Sequence, residues 1–125
     1  MTAFLVYGAT GYTGRLIVEE ALRAGLRPVL SGRNADAVRE LAGRFGLEAR
    51  PAALEDAAAL DGAMRGLRAV VHCAGPFHRT VEPMLEACLR NRVHYLDITG
   101  EIAVFERMAA SNVASRAAGI TLLPG

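Results

Sequence analysis

The run Gly8-Ala9-Thr10-Gly11-Tyr12-Thr13-Gly14 stands directly behind an apolar stretch, Ala3 to Tyr7, and directly before a segment with helical spacing. A strand, a glycine turn and a helix in immediate succession leave few folds open. Glycine lets the backbone bend tightly and approach a ligand closely, while the free N–H groups and dipole of a helix's first turn favour negative charge. This arrangement is a phosphate cradle, and the ligand it points to is a dinucleotide. The spacing is GxxGxxG, a variant of the commoner GxGxxG, and the βαβ pattern around it is what gives the motif weight. A tight turn with no ligand is the competing reading of the same residues.

The 125 residues make one domain, residues 1–125, large enough for its own hydrophobic core without metal or disulfide support. A net charge of +1, with acids and bases interspersed, gives no basis for a nucleic-acid or membrane-surface partner. No apolar run approaches the roughly 18 residues of a membrane span, and the start of the chain lacks the charges of a signal peptide. A cytoplasmic protein is expected. Cys73 and Cys88 provide neither a disulfide framework nor a metal cluster, and His72, His78 and His94 lack metal-ligand spacing, so no metal is expected. The 14 basic residues are all arginine, which excludes any mechanism on this chain that needs a lysine.

Short apolar runs alternate with amphipathic helices, the pattern of a parallel sheet covered on both faces. Six strands are expected: Ala3 to Tyr7, Pro28 to Ser31, Glu48 to Arg50, Ala69 to Cys73, Val93 to Asp97 and Ile120 to Leu123. Core stripes at helical spacing fall on Ile17, Val18, Ala21 and Leu22; on Val38, Leu41, Ala42 and Phe45; and on Leu60, Ala63, Met64 and Leu67. Two more fall on Val81, Met84, Leu85, Cys88 and Leu89, and on Ile102, Phe105, Ala109 and Val113. Asn34 and Thr80 are placed as N-caps, Gly25, Gly46 and Gly66 follow helices, and Pro83 falls where a first turn tolerates it. The fold class is therefore α/β, a doubly wound parallel sheet of the Rossmann type with strand order 3-2-1-4-5-6. Ligand is expected at the carboxyl ends of the strands, where the winding reverses.

That rule nominates four loops, the first being the glycine turn. After the second strand comes Ser31-Gly32-Arg33, where an NAD-binding protein usually carries an acid for the ribose 2′-OH. A small hydroxyl, a glycine and an arginine instead leave room and charge for a 2′-phosphate, so NADP is expected rather than NAD. For Arg33 the alternative is a solvated charge beside the Asn34 cap, and Asp36 reads as a favourable first-turn acid. After the fourth strand comes Cys73-Ala74-Gly75-Pro76-Phe77, a small-residue turn over which a nicotinamide could lie, with a plain turn as the alternative. After the fifth comes Asp97-Ile98-Thr99-Gly100-Glu101, either a polar wall of the cleft or the start of the next helix. His94 reads as structural and Cys88 as an inert core residue, while Cys73 borders the expected cofactor loop.

Taken together, these stretches resemble the N-terminal NADP-binding domain of the saccharopine dehydrogenase-like oxidoreductases, including the trans-acting enoyl reductase type. The matching segments are YGATGYTGRL (Tyr7 to Leu16), SGR (Ser31 to Arg33), CAGPF (Cys73 to Phe77), EAC (Glu86 to Cys88) and HYLDITGE (His94 to Glu101). They occur in the family's order over nearly the whole chain. The resemblance implies that Gly8, Thr10, Gly11, Tyr12 and Thr13 hold pyrophosphate, that Gly14 serves helix packing, and that Arg33 meets the adenosine 2′-phosphate. Ser31 belongs to that same loop, and Ala74 and Gly75 would take the nicotinamide ribose side. Two departures stand out. Family members usually continue past Leu122-Leu123-Pro124-Gly125 into a substrate-binding domain, and no acid stands directly after the third strand, at Pro51-Ala52-Ala53.

The function expected from the resemblance is to hold NADP(H) for hydride transfer to a substrate bound mainly elsewhere, with no catalytic residue assignable here and no turnover by these residues alone. A non-catalytic NADP sensor is the second reading. A short-chain dehydrogenase or epimerase is the third, weakened because the usual Tyr and Lys pair cannot form without a lysine. Self-association into a homo-oligomer is also expected, since an open sheet of this kind leaves apolar surface uncovered.

Overall fold

The computed structural model describes residues 4–125, so Ala3, the expected first residue of the first strand, lies outside the described residues. In chain order the elements are β1 (Phe4–Tyr7), α1 (Tyr12–Arg23), β2 (Val29–Ser31), α2 (Ala35–Phe45), α3 (Ala57–Met64), β3 (Ala69–His72), α4 (Phe77–Asn91), β4 (His94–Asp97), α5 (Ile102–Ala110), α6 (Asn112–Ala118) and β5 (Leu122–Leu123). All strand pairs are parallel, in the order β2-β1-β3-β4-β5. This is the doubly wound α/β sheet, with one difference. The third expected strand, Glu48 to Arg50, is reduced to the single bridge Leu30↔Ala49 beside β2. Leu30 donates to Glu48 O and accepts from Arg50 N, and beyond this bridge Arg50 O is met by the Ser31 hydroxyl at 2.7 Å while Ala52 N donates to Gly32 O at 3.1 Å.

Side chains alternate across the sheet and feed two cores. Leu5, Tyr7, Val70 and Tyr95 pack against Leu60, Met64, Met84, Leu85 and Val104 on one face. Val6 and Leu30 pack against Val18, Val38 and Leu41 on the other. Asn34 caps α2 as expected, its Oδ1 accepting from Ala37 N at 3.1 Å, and Asp36 lies in the first turn.

Two expectations are corrected. Thr80 is not the N-cap of α4, which begins three residues earlier at Phe77, and Pro83 therefore lies in the second turn rather than the first. The stripe Ile102, Phe105, Ala109 and Val113 is not the core face: Ile102 and Val113 are 74% and 81% exposed, and the buried residues are Val104, Met108, Ser111 and Ser115. Those serines can be buried because their hydroxyls bond backbone carbonyls, Ser111 to Arg107 O and Ser115 to Asn112 O, each at 3.0 Å. The helix also breaks between α5 and α6 at Ser111.

Candidate functional site

At the carboxyl ends of the strands the register brings Ser31, Tyr7, His72 and Asp97 into one row, Tyr7 pairing with both Ser31 and His72, and His72 with Asp97. All four are buried, and each fastens a loop. Ser31 Oγ donates to Arg50 O and Tyr7 OH to Ala52 O, both at 2.7 Å. His72 Nε2 lies 2.9 Å from Thr80 Oγ1. Asp97 accepts from Thr99 N at 3.0 Å, from Gly125 N at 2.9 Å and from the Tyr95 hydroxyl. A polar residue at the end of a strand, satisfied by the loop above it, fixes the rim from which a cleft is built.

The glycine turn sits on this rim. Gly8, at φ +83°, and Ala9 donate to Ser31 O at 3.0 and 3.2 Å, which ties the turn to β2. A Cβ on Gly8 would lie 2.9 Å from Ala74 N, so the third loop packs directly against the turn. A Cβ on Gly14 would lie 2.1 Å from Gly8 O, so Gly14 allows α1 to seat on the turn. Gly11 is different: its Cβ would come no nearer than 3.4 Å to any other atom. Gly11 is also the N-cap of α1, and no side chain caps that helix. The first intrahelical donor is Arg15 N, to Gly11 O at 2.9 Å, which leaves the N–H groups of Tyr12, Thr13 and Gly14 without partners among the described residues. The guanidinium of Arg15 is turned to Glu19, 3.6 Å away.

A cleft of about 960 Å³ opens over the turn, and Gly8, Thr10, Gly11, Arg33, Ala74 and Gly75 all border it. Three of the four nominated loops thus meet in one place. Of the other residues singled out in the sequence, which do not border the cleft, Tyr12 is exposed, Thr13 is half-buried, and Gly14 and Ser31 are buried. Glu55 and Arg79, not singled out from the sequence, line the cleft as well. Glu55 lies four residues past Pro51, and no local motif marks it in the sequence. Arg33 and Arg79 make no hydrogen bond through their side chains and no ion pair among the described residues, and against the single carboxylate of Glu55 they leave the cleft with an excess of positive charge.

Two other groups border the cleft and neither exchanges a proton near neutral pH. Burial pushes the Cys73 thiol up to about 12, and burial, reinforced by Glu55 and opposed by Arg33, pushes Tyr7 up to about 12. Both cysteines are free thiols, and Cys88 is fully buried, its thiol likewise pushed up to about 12.

The fourth loop does not border the cleft. Asp97 and Thr99 are buried, and Glu101 turns its carboxylate onto the start of α4. Of the two readings of Asp97 to Glu101, the structural one holds: Glu101 is the N-cap of α5 through its backbone, while its side chain caps α4.

A doubly wound sheet with an uncapped glycine-turn helix under a positively charged cleft defines a dinucleotide-binding domain. The chain belongs to the saccharopine dehydrogenase NADP-binding domain family, whose sequence profile matches residues 4–123. It is 27% identical over 123 residues to the human saccharopine dehydrogenase-like oxidoreductase, covering 83% of this chain and 29% of that protein. It is 31% identical over 105 residues to the trans-acting enoyl reductase of Mycobacterium tuberculosis, covering 78% of this chain and 25% of that one. The chain thus spans less than a third of these relatives.

Among solved structures it resembles apo saccharopine dehydrogenase (L-Glu forming) from Saccharomyces cerevisiae, at a TM-score of 0.78 and 17% identity, over 98% of this chain and 26% of that one. It also resembles the Citrobacter sp. triphenylmethane reductase complexed with NADP(H), at 0.72 and 22%, over 96% of this chain and 48% of that one. At these identities the likeness establishes the fold.

Proposed function

We propose that this chain holds NADP(H) for hydride transfer to or from a substrate bound mainly by other parts of the protein. The observation that carries this reading is the open N-terminus of α1, three N–H groups behind Gly11 that have no partner among the described residues, beside a cleft with two arginines that are likewise unpaired among them. Gly8, Thr10, Gly11, Tyr12 and Thr13 would take the pyrophosphate, Arg33 the adenosine 2′-phosphate beside the Ser31 loop, and Ala74 and Gly75 the nicotinamide ribose side, with Gly14 seating the helix. The cofactor, when bound, supplies the hydride. This chain's residues bind and orient it, and no proton donor or acceptor for turnover is assigned among them. That the relatives are several times longer than this chain supports a substrate site outside it.

The chain alone should therefore bind NADPH in a calorimeter yet oxidise none of it with a panel of imines, ketones and enoyl thioesters. Absence of binding overturns the reading, and turnover overturns the placement of the catalytic groups. Two free thiols fit a reducing compartment, which supports a cytoplasmic location; no helix among the described residues is long and apolar enough to cross a membrane. Exposed Ile102, Phe105 and Val113 support self-association, read by sedimentation equilibrium as a dimer or larger.

A further inference from the structure

His72 is fully buried, yet it lies one residue from the loop assigned to the nicotinamide side. The Thr80 hydroxyl has a single proton, and its nearest acceptor is Ala74 O at 2.7 Å, with Pro76 O at 3.5 Å. Thr80 Oγ1 therefore accepts from His72, which fixes the proton of the neutral imidazole on Nε2 at 2.9 Å. That leaves Nδ1 buried with no hydrogen-bond partner among the described residues. An unsatisfied buried acceptor is destabilising, and an apolar side chain at this place in the core would avoid it. The ring is also held edge-on or tilted by Tyr7, Phe77 and Tyr95, with centroids 5.8, 5.2 and 6.1 Å away, so it presents Nε2 in one direction.

We propose that His72 and Thr80 are positioning residues, a two-bond relay that holds the Ala74 carbonyl and so sets the Ala74–Gly75 loop for the nicotinamide end of the cofactor. The relay ends on a backbone atom of the cleft wall, and the N–H groups of Ala74 and Gly75 make no hydrogen bond among the described residues. With the carbonyl anchored, the Gly75 N–H, which shares its peptide plane, keeps a fixed orientation. The same loop packs on Gly8, so a relaxed loop disturbs the wall on the nicotinamide side while Arg33, on the far side of β1, stays in place.

This inference rests on the NADP reading, and its test separates the two. Calorimetry on the wild type, Thr80→Val, Thr80→Ser, His72→Phe and His72→Gln compares NADPH with 2′,5′-ADP, which carries the 2′-phosphate but no nicotinamide. Thr80→Val and His72→Phe should weaken NADPH about tenfold, the worth of one hydrogen bond, and leave 2′,5′-ADP within about twofold. Thr80→Ser, which keeps the hydroxyl, and His72→Gln, whose amide nitrogen can replace Nε2, should restore NADPH affinity. Should Thr80→Val fail to fold, Thr80→Ala carries the same comparison. Equal weakening of both ligands, or no weakening of either, overturns the positioning role. A wild type that binds neither ligand overturns the cofactor reading and this inference with it.

Discussion

Glu101 closes the N-terminus of α4 by gripping His78, whose backbone N–H donates to Oε1 at 3.1 Å and whose ring Nδ1–H donates to the same oxygen at 2.8 Å. Its other oxygen accepts from Phe77 N at 2.8 Å. Asn34 and Asp56 do the same for α2 and α3 from within their own turns. Among α1 to α4, the helix left without a side-chain cap is α1, the one that opens on the cleft. Of these four helices, α2, α3 and α4 have their starts satisfied by side chains, and the start of α1 is left free for an anion.

Because the bond from His78, and then those from the backbone of Phe77 and His78, hold the Glu101 carboxyl below its ordinary value of 4.5, the folded state favours its ionised form. The stabilisation is complete above the ordinary value and fades as the pH falls through the lowered one. Glu101→Ala should lower the urea midpoint at pH 7, and the gap from wild type should narrow at pH 3.5. A gap that stays constant across this range removes the charge from the explanation.

His72 gives the larger pH effect. Burial brings it from 6.5 to about 4, opposed by Asp97, so the unfolded chain binds a proton that the folded one refuses. Its contribution is full above pH 6.5 and falls as the pH drops towards 4, reaching about 2 kcal/mol of lost stability at pH 5. Denaturant titrations at pH 7.5 and pH 5 should show that loss in the wild type. In His72→Phe most of the pH dependence between these values should vanish. An unchanged pH dependence in the variant places the titrating group elsewhere.

The sequence displays what is local and hides what is distant. The glycine turn, the Asn34 cap and the first two helix faces rest on residues within one or two turns of one another, and the structure has them as read. Glu101 meets His78, 23 residues away, and Asp97 meets Gly125, 28 away, so the loop between β4 and α5 offered two roles with nothing nearby to choose between them. The stripe on α5 and α6 misled because buried serines, satisfied by their own backbone, read as a polar face while Ile102 and Val113 face solvent. The row from Ser31 to Asp97 needs strand register, which no single segment reveals.

Gly11 and Gly14 separate binding from folding. Gly11 has φ −75° and ψ 168°, an extended conformation open to any residue, and its Cβ would meet nothing closer than Gly8 O at 3.4 Å. Gly11→Val should therefore fold with little change in melting temperature and lose both NADPH and NADH, because the added atoms occupy the cradle. Gly14→Ala sets a Cβ 2.1 Å from Gly8 O and should destabilise the fold by about 1–3 kcal/mol. Retained affinity in Gly11→Val rules out the cradle.

Arg33 decides between the two cofactors. Its guanidinium is exposed at the edge of the cleft, with no hydrogen bond or ion pair among the described residues, and no acid stands in the Ser31-Gly32-Arg33 turn to claim a ribose 2′-hydroxyl. A charge-assisted hydrogen bond to the 2′-phosphate should contribute about 1.5–3 kcal/mol, a roughly tenfold to hundredfold preference for NADPH over NADH. Since Arg33 holds nothing in the fold, Arg33→Ala should leave the melting temperature alone and bring NADPH affinity down to that of NADH. Calorimetry with both dinucleotides on both proteins reads this directly. Equal affinities in the wild type, or a variant that loses NADH as well, would place the 2′-phosphate at another group, with Arg79, the other unpaired cation of the cleft, the next to substitute.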